Sequence, residues 1–121
     1  VKHVGVGECL LGSGESTVFM SGESVGKGGR NQELALGALL NIFPEQVLVA
    51  LASDGFDNTE FAGAIVDTKT LDEAGRLSLS PKDFLMSHDS YNFFKQVGDG
   101  LLTGKTGFNV SDIIISVRQK L

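Results

Sequence analysis

The sequence predicts an α/β fold: a single three-layer domain in which a mixed, partly parallel sheet is flanked by helices. Three observations carry this reading. The run QVLVALA, Gln46–Ala52, is apolar without a break and of strand length, as in strands covered on both faces. The run RNQELALGALLNIF, Arg30–Phe43, spreads Leu34, Ala35, Leu36, Ala38, Leu39, Leu40 and Ile42 around most of a helical wheel, which describes a largely buried helix stopped by Pro44. Strand-like and helix-like segments alternate along 121 residues, which is one domain's worth of chain.

The elements follow in order. Val4–Leu11 and Ser16–Met20 read as strands, with Gly12-Ser13-Gly14 as the turn between them. Ser21–Gly29 is a polar, glycine-rich loop leading into the helix from Arg30. After the buried strand comes a polar loop, Ser53–Glu60, and a short strand, Ala62–Val66. Thr70 and Glu73 fit a capping box and open a helix to about Leu77. Ser80 as N-cap and Pro81 at the first helical position open another, through Met86. Asp89 caps a third, carrying Phe93, Phe94 and Val97 and closed by Gly98. Gly100–Gly107 is a second glycine-rich loop, and DIIISVR, Asp112–Arg118, is the last strand.

Composition removes several classes. Hydrophobic residues make up 41% and mean hydropathy is +0.10, as in a folded, water-soluble domain. No apolar stretch nears the roughly 20 residues that span a bilayer, and nothing resembles a secretory leader. The single cysteine, Cys9, excludes an internal disulfide and reads as a small core residue in an apolar strand. The expected setting is the cytoplasm. Ten basic against fifteen acidic residues, net −5, argue against nucleic acid, whose binders carry clustered basic charge. Between Arg30 and Lys69 every charged residue is acidic: Glu33, Glu45, Asp54, Asp57, Glu60 and Asp67. These form either a solvated acidic face or a carboxylate cluster facing Arg30 or a metal ion.

Nucleotide fingerprints fail. The pairs Gly5/Gly7, Gly12/Gly14, Gly26/Gly28 and Gly98/Gly100 are followed three residues on by Leu10, Thr17, Asn31 and Thr103, where a dinucleotide site needs Gly or Ala. Neither Gly26-Lys27 nor Gly104-Lys105 has the glycine five residues upstream that a phosphate-wrapping loop requires; Ser21 and Asp99 stand there. Phe56 occupies the third position of what would be a calcium loop. His3 and His88 lack zinc partners at ligand spacing and read as surface or capping histidines.

Three loops remain. Glycine is abundant, 16 of 121 residues against the usual ~7%, with eight in the first thirty positions. In GKGGRNQE, Gly26–Glu33, glycines precede a helix N-terminus, where open N–H groups and Arg30 suit an anion, or else simply turn the chain. SDGFDN, Ser53–Asn58, follows the buried strand; Asp54 and Asp57 hold Mg²⁺ beside a phosphate, or accept a hydroxyl proton, or else cap the loop's own backbone. TGKTGFNVSD, Thr103–Asp112, offers close backbone approach at Gly104 and Gly107 with the Asn109 amide, as a pocket wall or a tight connection into the last strand.

Taken in order, these loops resemble the MOFRL domain, the C-terminal domain of type 2 glycerate kinases, some of which are labelled hydroxypyruvate reductases. The matching strings are GSGESTV (Gly12–Val18), GKGGRNQELAL (Gly26–Leu36), SDGFDNTEFAGAIVD (Ser53–Asp67), HDSYNFF (His88–Phe94) and TGKTGFNVSD, spanning about residues 10–117. Two strings depart from the family pattern. DNTEFAGA is one residue shorter than the family's DGPTDAAGA, with Asn58 in place of Gly-Pro. TGKTG carries Lys105 where the family has proline.

The resemblance implies one MOFRL-like domain over 1–121, whose larger Rossmann-like N-terminal partner domain is absent. The implied reaction is ATP- and Mg²⁺-dependent phosphorylation of D-glycerate at its 2-hydroxyl, with this domain supplying substrate contacts and inactive alone. It places Arg30 on the substrate carboxylate or a phosphate, supported by Asn31, Glu15 and Glu33. Asp54 and Asp57 become catalytic or metal-binding residues, and Thr106, Gly107 and Asn109 line the far wall. ATP and Mg²⁺ enter through the resemblance only; folding calls for no cofactor. The rival readings are a non-catalytic module for a small anionic metabolite and an oligomerisation module forming a homo-oligomer.

Overall fold

The strand expected at Gln46–Ala52 needs neighbours on both sides. A computed structural model, which describes residues 5–14 and 26–119, supplies them. The elements are β1 (Cys9–Gly14), α1 (Arg30–Leu39), β2 (Gln46–Ala52), β3 (Gly63–Val66), α2 (Thr68–Arg76), α3 (Pro81–Met86), α4 (Ser90–Val97), β4 (Gly100–Leu101) and β5 (Asp112–Arg118). They form one five-stranded sheet in the order β1-β5-β2-β3-β4, and every neighbouring pair is antiparallel.

This corrects the partly parallel sheet. The unit β1-α1-β2 exists and its two strands run the same way, but β5 lies between them and opposes both. The connection from β2 to β3 is a loop without a helix, which suits antiparallel neighbours. Among the described residues β2 is covered on one face: its burial alternates residue by residue. Leu48 and Ala50 join Ala64 and Val66 of β3, Ala35, Leu36 and Leu39 of α1, and Phe93, Phe94 and Val97 of α4 in one buried cluster. Val47, Val49 and Leu51, with their register partners Val117, Ile115 and Ile113, face the other way and stay half-buried. Among the described residues the helices gather on one face, so two layers stand where three were expected.

Local differences have local causes. Gly12-Ser13-Gly14 is not a turn; it pairs with Ile114, Ile113 and Asp112 as the end of β1. The strand expected at Ser16–Met20 lies outside the described residues. Cys9 is exposed: among the described residues β1 ends the sheet, and Cys9 sits opposite Val117 on the face away from the described helices. α1 stops at Leu39 and loosens through Leu40, Asn41 and Ile42 into tighter backbone turns before Pro44. α2 begins at Thr68 because Asp67, not Thr70, is the cap. The Asp67 carboxylate accepts from the Thr70 N–H at 3.1 Å, and the Thr70 hydroxyl accepts from the Asp67 N–H at 3.2 Å. Ser80 and Pro81 open α3, and Gly98 closes α4, both as expected.

The Thr70 hydroxyl also donates to Asp99 at 2.7 Å. Burial pushes the Asp99 carboxyl above its ordinary value of 3.8; the Thr70 hydrogen bond opposes this, and the Asp67 and Glu73 charges reinforce it. A carboxyl raised in the folded state favours folding at low pH and loses that contribution as pH rises through its folded value. Asp99→Asn is therefore expected to be more stable than wild type at pH 7, with the gap closing as pH falls through the raised folded value toward 3.8. Urea unfolding at a series of pH values checks this; a gap independent of pH would contradict it.

Candidate functional site

The loop after β2 begins by folding onto itself. Asp54 Oδ1 accepts from the Phe56 N–H at 3.0 Å, an Asx turn. Between them Gly55 takes φ +96°, and a Cβ there would lie 2.0 Å from the Gly104 carbonyl oxygen. The loop 102–111 thus rests directly on the loop 53–62. The Thr106 N–H donates to the Asp54 carbonyl at 3.4 Å and its hydroxyl to the Ser53 carbonyl at 2.5 Å. The Val110 N–H donates to Ser53 Oγ at 2.9 Å. The close approach expected at Gly104 exists, and Gly55 is the residue that permits it.

Asp57 turns inward to the start of α1. Its Oδ1 accepts from the Asn31 N–H and side-chain amide, each at 3.1 Å. Its Oδ2 accepts from the Gln32 N–H at 2.8 Å and from Gln32 Nε2 at 3.1 Å. A carboxylate has about four acceptor positions. All are used here, and Asp57 is 4% exposed. In this arrangement the carboxylate is occupied by the start of α1, and a catalytic or metal-binding role would need one of these positions to open.

Arg30, the first residue of α1, reaches across to the first residue of β5. Its Nε donates to Asp112 Oδ2 at 2.5 Å and its Nη2 to Asp112 Oδ1 at 3.2 Å. The Asp112 side chain is 6% exposed and that of Arg30 39%. Residues flagged by the sequence and residues it did not flag meet in one pocket of about 250 Å³. Arg30, Asp54, Asp57 and Asn109 line it, together with Ser53, Phe56, Asn58, Ser111, Asp112 and Ala52. Phe56, Phe108 and Val110 are exposed around it.

The pocket's charges are largely paired. Asp57 is answered by the helix N-terminus, whose dipole favours negative charge. Asp112 is answered by Arg30. Asp54 differs: among the described residues its Oδ2 accepts no hydrogen bond, so it has an oxygen to offer. No group of three or more His, Cys, Asp or Glu side chains among the described residues is placed to hold a metal ion. An ion held by one carboxylate and a ligand's phosphate oxygens fits this donor set; an all-protein cage does not.

The other expected site residues sit elsewhere. Asn31 is buried behind Asp57. Glu33 pairs with His88, whose Nδ1 lies 2.5 Å from Glu33 Oε1, so His88 is tied into the fold and is not a plain surface histidine. Thr106 and Gly107 shape the loop without lining the pocket, and Glu15 lies outside the described residues. Asp112 was missed. Its one signal is its place at the head of DIIISVR, and that becomes informative only when β5 is known to pair Asp112 with Ala52 beside the pocket.

Fold and site together define a small mixed α/β domain whose pocket is built from loops at one end of an antiparallel sheet. Residues 8–112 match the MOFRL family, and the chain belongs to that family. It is 42% identical over 110 residues to glycerate 2-kinase of Pyrococcus horikoshii, covering 89% of this chain and 25% of that one. To D-glycerate 2-kinase of Thermotoga maritima it is 40% identical over 111 residues, covering 89% and 26%. The crystal structure of glycerate kinase from Thermotoga maritima superposes with a TM-score of 0.84 at 40% identity, over 91% of this chain and 27% of that one. The chain thus spans about a quarter of the length of these relatives. No helix among the described residues is long and apolar enough to cross a membrane.

Proposed function

We propose that this domain is the substrate-binding part of a glycerate 2-kinase-like enzyme and is inactive by itself. The reaction is ATP-dependent phosphoryl transfer to the 2-hydroxyl of D-glycerate. The observation that carries this reading is the meeting of Arg30, Asp54 and Asn109, from three separate family motifs, around one pocket. The names of the relatives supply the reaction class.

Arg30 binds the carboxylate of the substrate or a phosphate. Its guanidinium is held at the pocket by the fork onto Asp112, and its side chain is partly exposed there. Asp54 accepts the proton of the 2-hydroxyl or holds Mg²⁺ through its open oxygen. Bound Mg²⁺ supplies charge neutralisation on the transferring phosphoryl group, where catalysis is mostly positioning and electrostatics. Asn109 lines the opposite wall, placed by the Thr106–Gly107 turn. Nucleotide binding belongs to the rest of a longer enzyme, because the glycine pairs of this chain lack the fingerprints for it.

Titration of D-glycerate into the chain by calorimetry tests the reading. Wild type is expected to bind, and Arg30→Ala to bind at least about tenfold more weakly, the scale of one charge-assisted contact. Asp54→Asn is expected to keep the fold, since the amide oxygen still accepts from Phe56 N–H, while abolishing phosphorylation restored by a partner N-terminal domain. Equal glycerate binding by wild type and Arg30→Ala, or phosphorylation by the isolated chain, would contradict the proposal.

A further inference from the structure

We infer that the glycine-rich turn before α1 cradles the chain's own carboxylate, Asp57, and that Asp57 is a positioning residue for the pocket. A helix N-terminus leaves N–H groups without partners. At α1 the cap residue is Gly29, which has no side chain to serve them. Asp57 serves them from a distant loop, with Asn31 and Gln32 each giving both a backbone N–H and a side-chain amide. Gln32 Nε2 also reaches the Asp57 carbonyl at 3.1 Å and Thr59 Oγ1 at 3.0 Å, so it holds the loop just after the carboxylate as well.

The glycines make room for this contact. A Cβ on Gly29 would lie 2.1 Å from the Asp57 carbonyl oxygen and 2.3 Å from its carboxyl carbon. A Cβ on Gly28 would lie 2.1 Å from the buried Ser90 hydroxyl. Backbone is brought close here, but to the protein itself.

The consequence is a closed ring around the pocket. β2 leads into Asp54, and three residues later Asp57 is clamped to the start of α1. α1 presents Arg30, Arg30 is forked onto Asp112, and Asp112 opens β5, which pairs with Ala52 at the end of β2. The Asp57 clamp therefore sets the separation of Arg30 and Asp54. Its effect on ligand binding rests on the reading of those two residues given above; the clamp itself does not.

The experiment compares wild type, Asp57→Asn and Asp57→Gly as the 121-residue chain. Asparagine turns one acceptor oxygen into a donor facing other donors. Amide hydrogen exchange at Asn31 and Gln32 is expected to quicken about 100-fold or more in Asp57→Asn, with the β2 amides unchanged. The dissociation constant for D-glycerate is expected to rise about tenfold. Formate added to Asp57→Gly is expected to restore protection and affinity together, which loss of packing alone would not allow. Wild-type protection at Asn31 and Gln32 in Asp57→Asn overturns the clamp. Should that variant not fold, Gly29→Ala displaces the carboxylate without removing it, and wild-type protection there overturns the clamp equally. Absence of glycerate binding by wild type sinks the ligand reading alone, because the exchange result does not depend on it.

Discussion

Gly55→Ala is expected to lower the stability of the domain by about 3 kcal/mol or more. Two costs combine. The backbone at Gly55 has φ +96°, a region that costs an L-residue about 1–3 kcal/mol. The added methyl would also stand 2.0 Å from the Gly104 carbonyl oxygen and 3.0 Å from Thr103 Oγ1. Overpacking against backbone adds about 1–3 kcal/mol, because the neighbour cannot rotate away. The expected relief is separation of loop 102–111 from loop 53–62, with loss of the Thr106 bonds to Ser53 and Asp54. Glycerate binding should weaken with it, since Asn109 and Asp54 come from opposite sides of this contact. Urea unfolding of wild type and variant measures the loss; a change below about 0.5 kcal/mol, the scale of an ordinary surface substitution, would refute the packing argument.

Phe93→Ala is expected to cost about 3–5 kcal/mol, the usual range for removing a fully buried aromatic ring. Phe93 is fully buried in α4. Its ring meets Phe94 edge-on with centroids 5.2 Å apart and Phe84 at 5.6 Å, a geometry that adds to simple burial. Phe56→Ala is the contrast. Phe56 is 47% exposed at the pocket, so its loss should cost well under about 1 kcal/mol of stability while weakening ligand affinity. Thermal and urea unfolding of the two variants side by side test whether burial governs. Equal losses would mean that it does not.

Much of the fold could be read from local pattern. Arg30 as the start of α1, β2 over Gln46–Ala52 and β5 over Asp112–Arg118 agree with expectation to the residue. Each is a short-range property: apolar spacing, a β-branched run, a glycine before a helix. The cap of α2 lies three residues before the expected Thr70, because Asp67 and Thr70, not Thr70 and Glu73, form the reciprocal pair. Motif order also brought Arg30, Asp54 and Asn109 to attention as one set, and the structure places them around one pocket.

Other features depend on which segments meet. The unbroken apolar run of β2 signals burial on both faces, but only one face is covered among the described residues, since the described helices share a side. The strand–helix–strand order suggests parallel pairing, yet β5, from the far end of the chain, enters between β1 and β2 and opposes both. Asp57 and Asp54 look alike in sequence, as two aspartates of one loop. One is closed by four donors on α1 and the other keeps an oxygen open. Asp112 becomes a pocket residue only through the Arg30 bridge and the register with Ala52. By itself, then, the sequence determined most of the elements and the family, because hydrophobic period, caps and motif strings act over a few residues; the strand ends at Gly12–Gly14 and Gly100–Leu101 form only through their partners. Strand direction, the division of labour between the aspartates and the setting of Arg30 were decided by tertiary structure, because each depends on contacts between residues far apart in the chain: 25 positions for Gln32 and Asp57, 82 for Arg30 and Asp112, and more between β1 and β5.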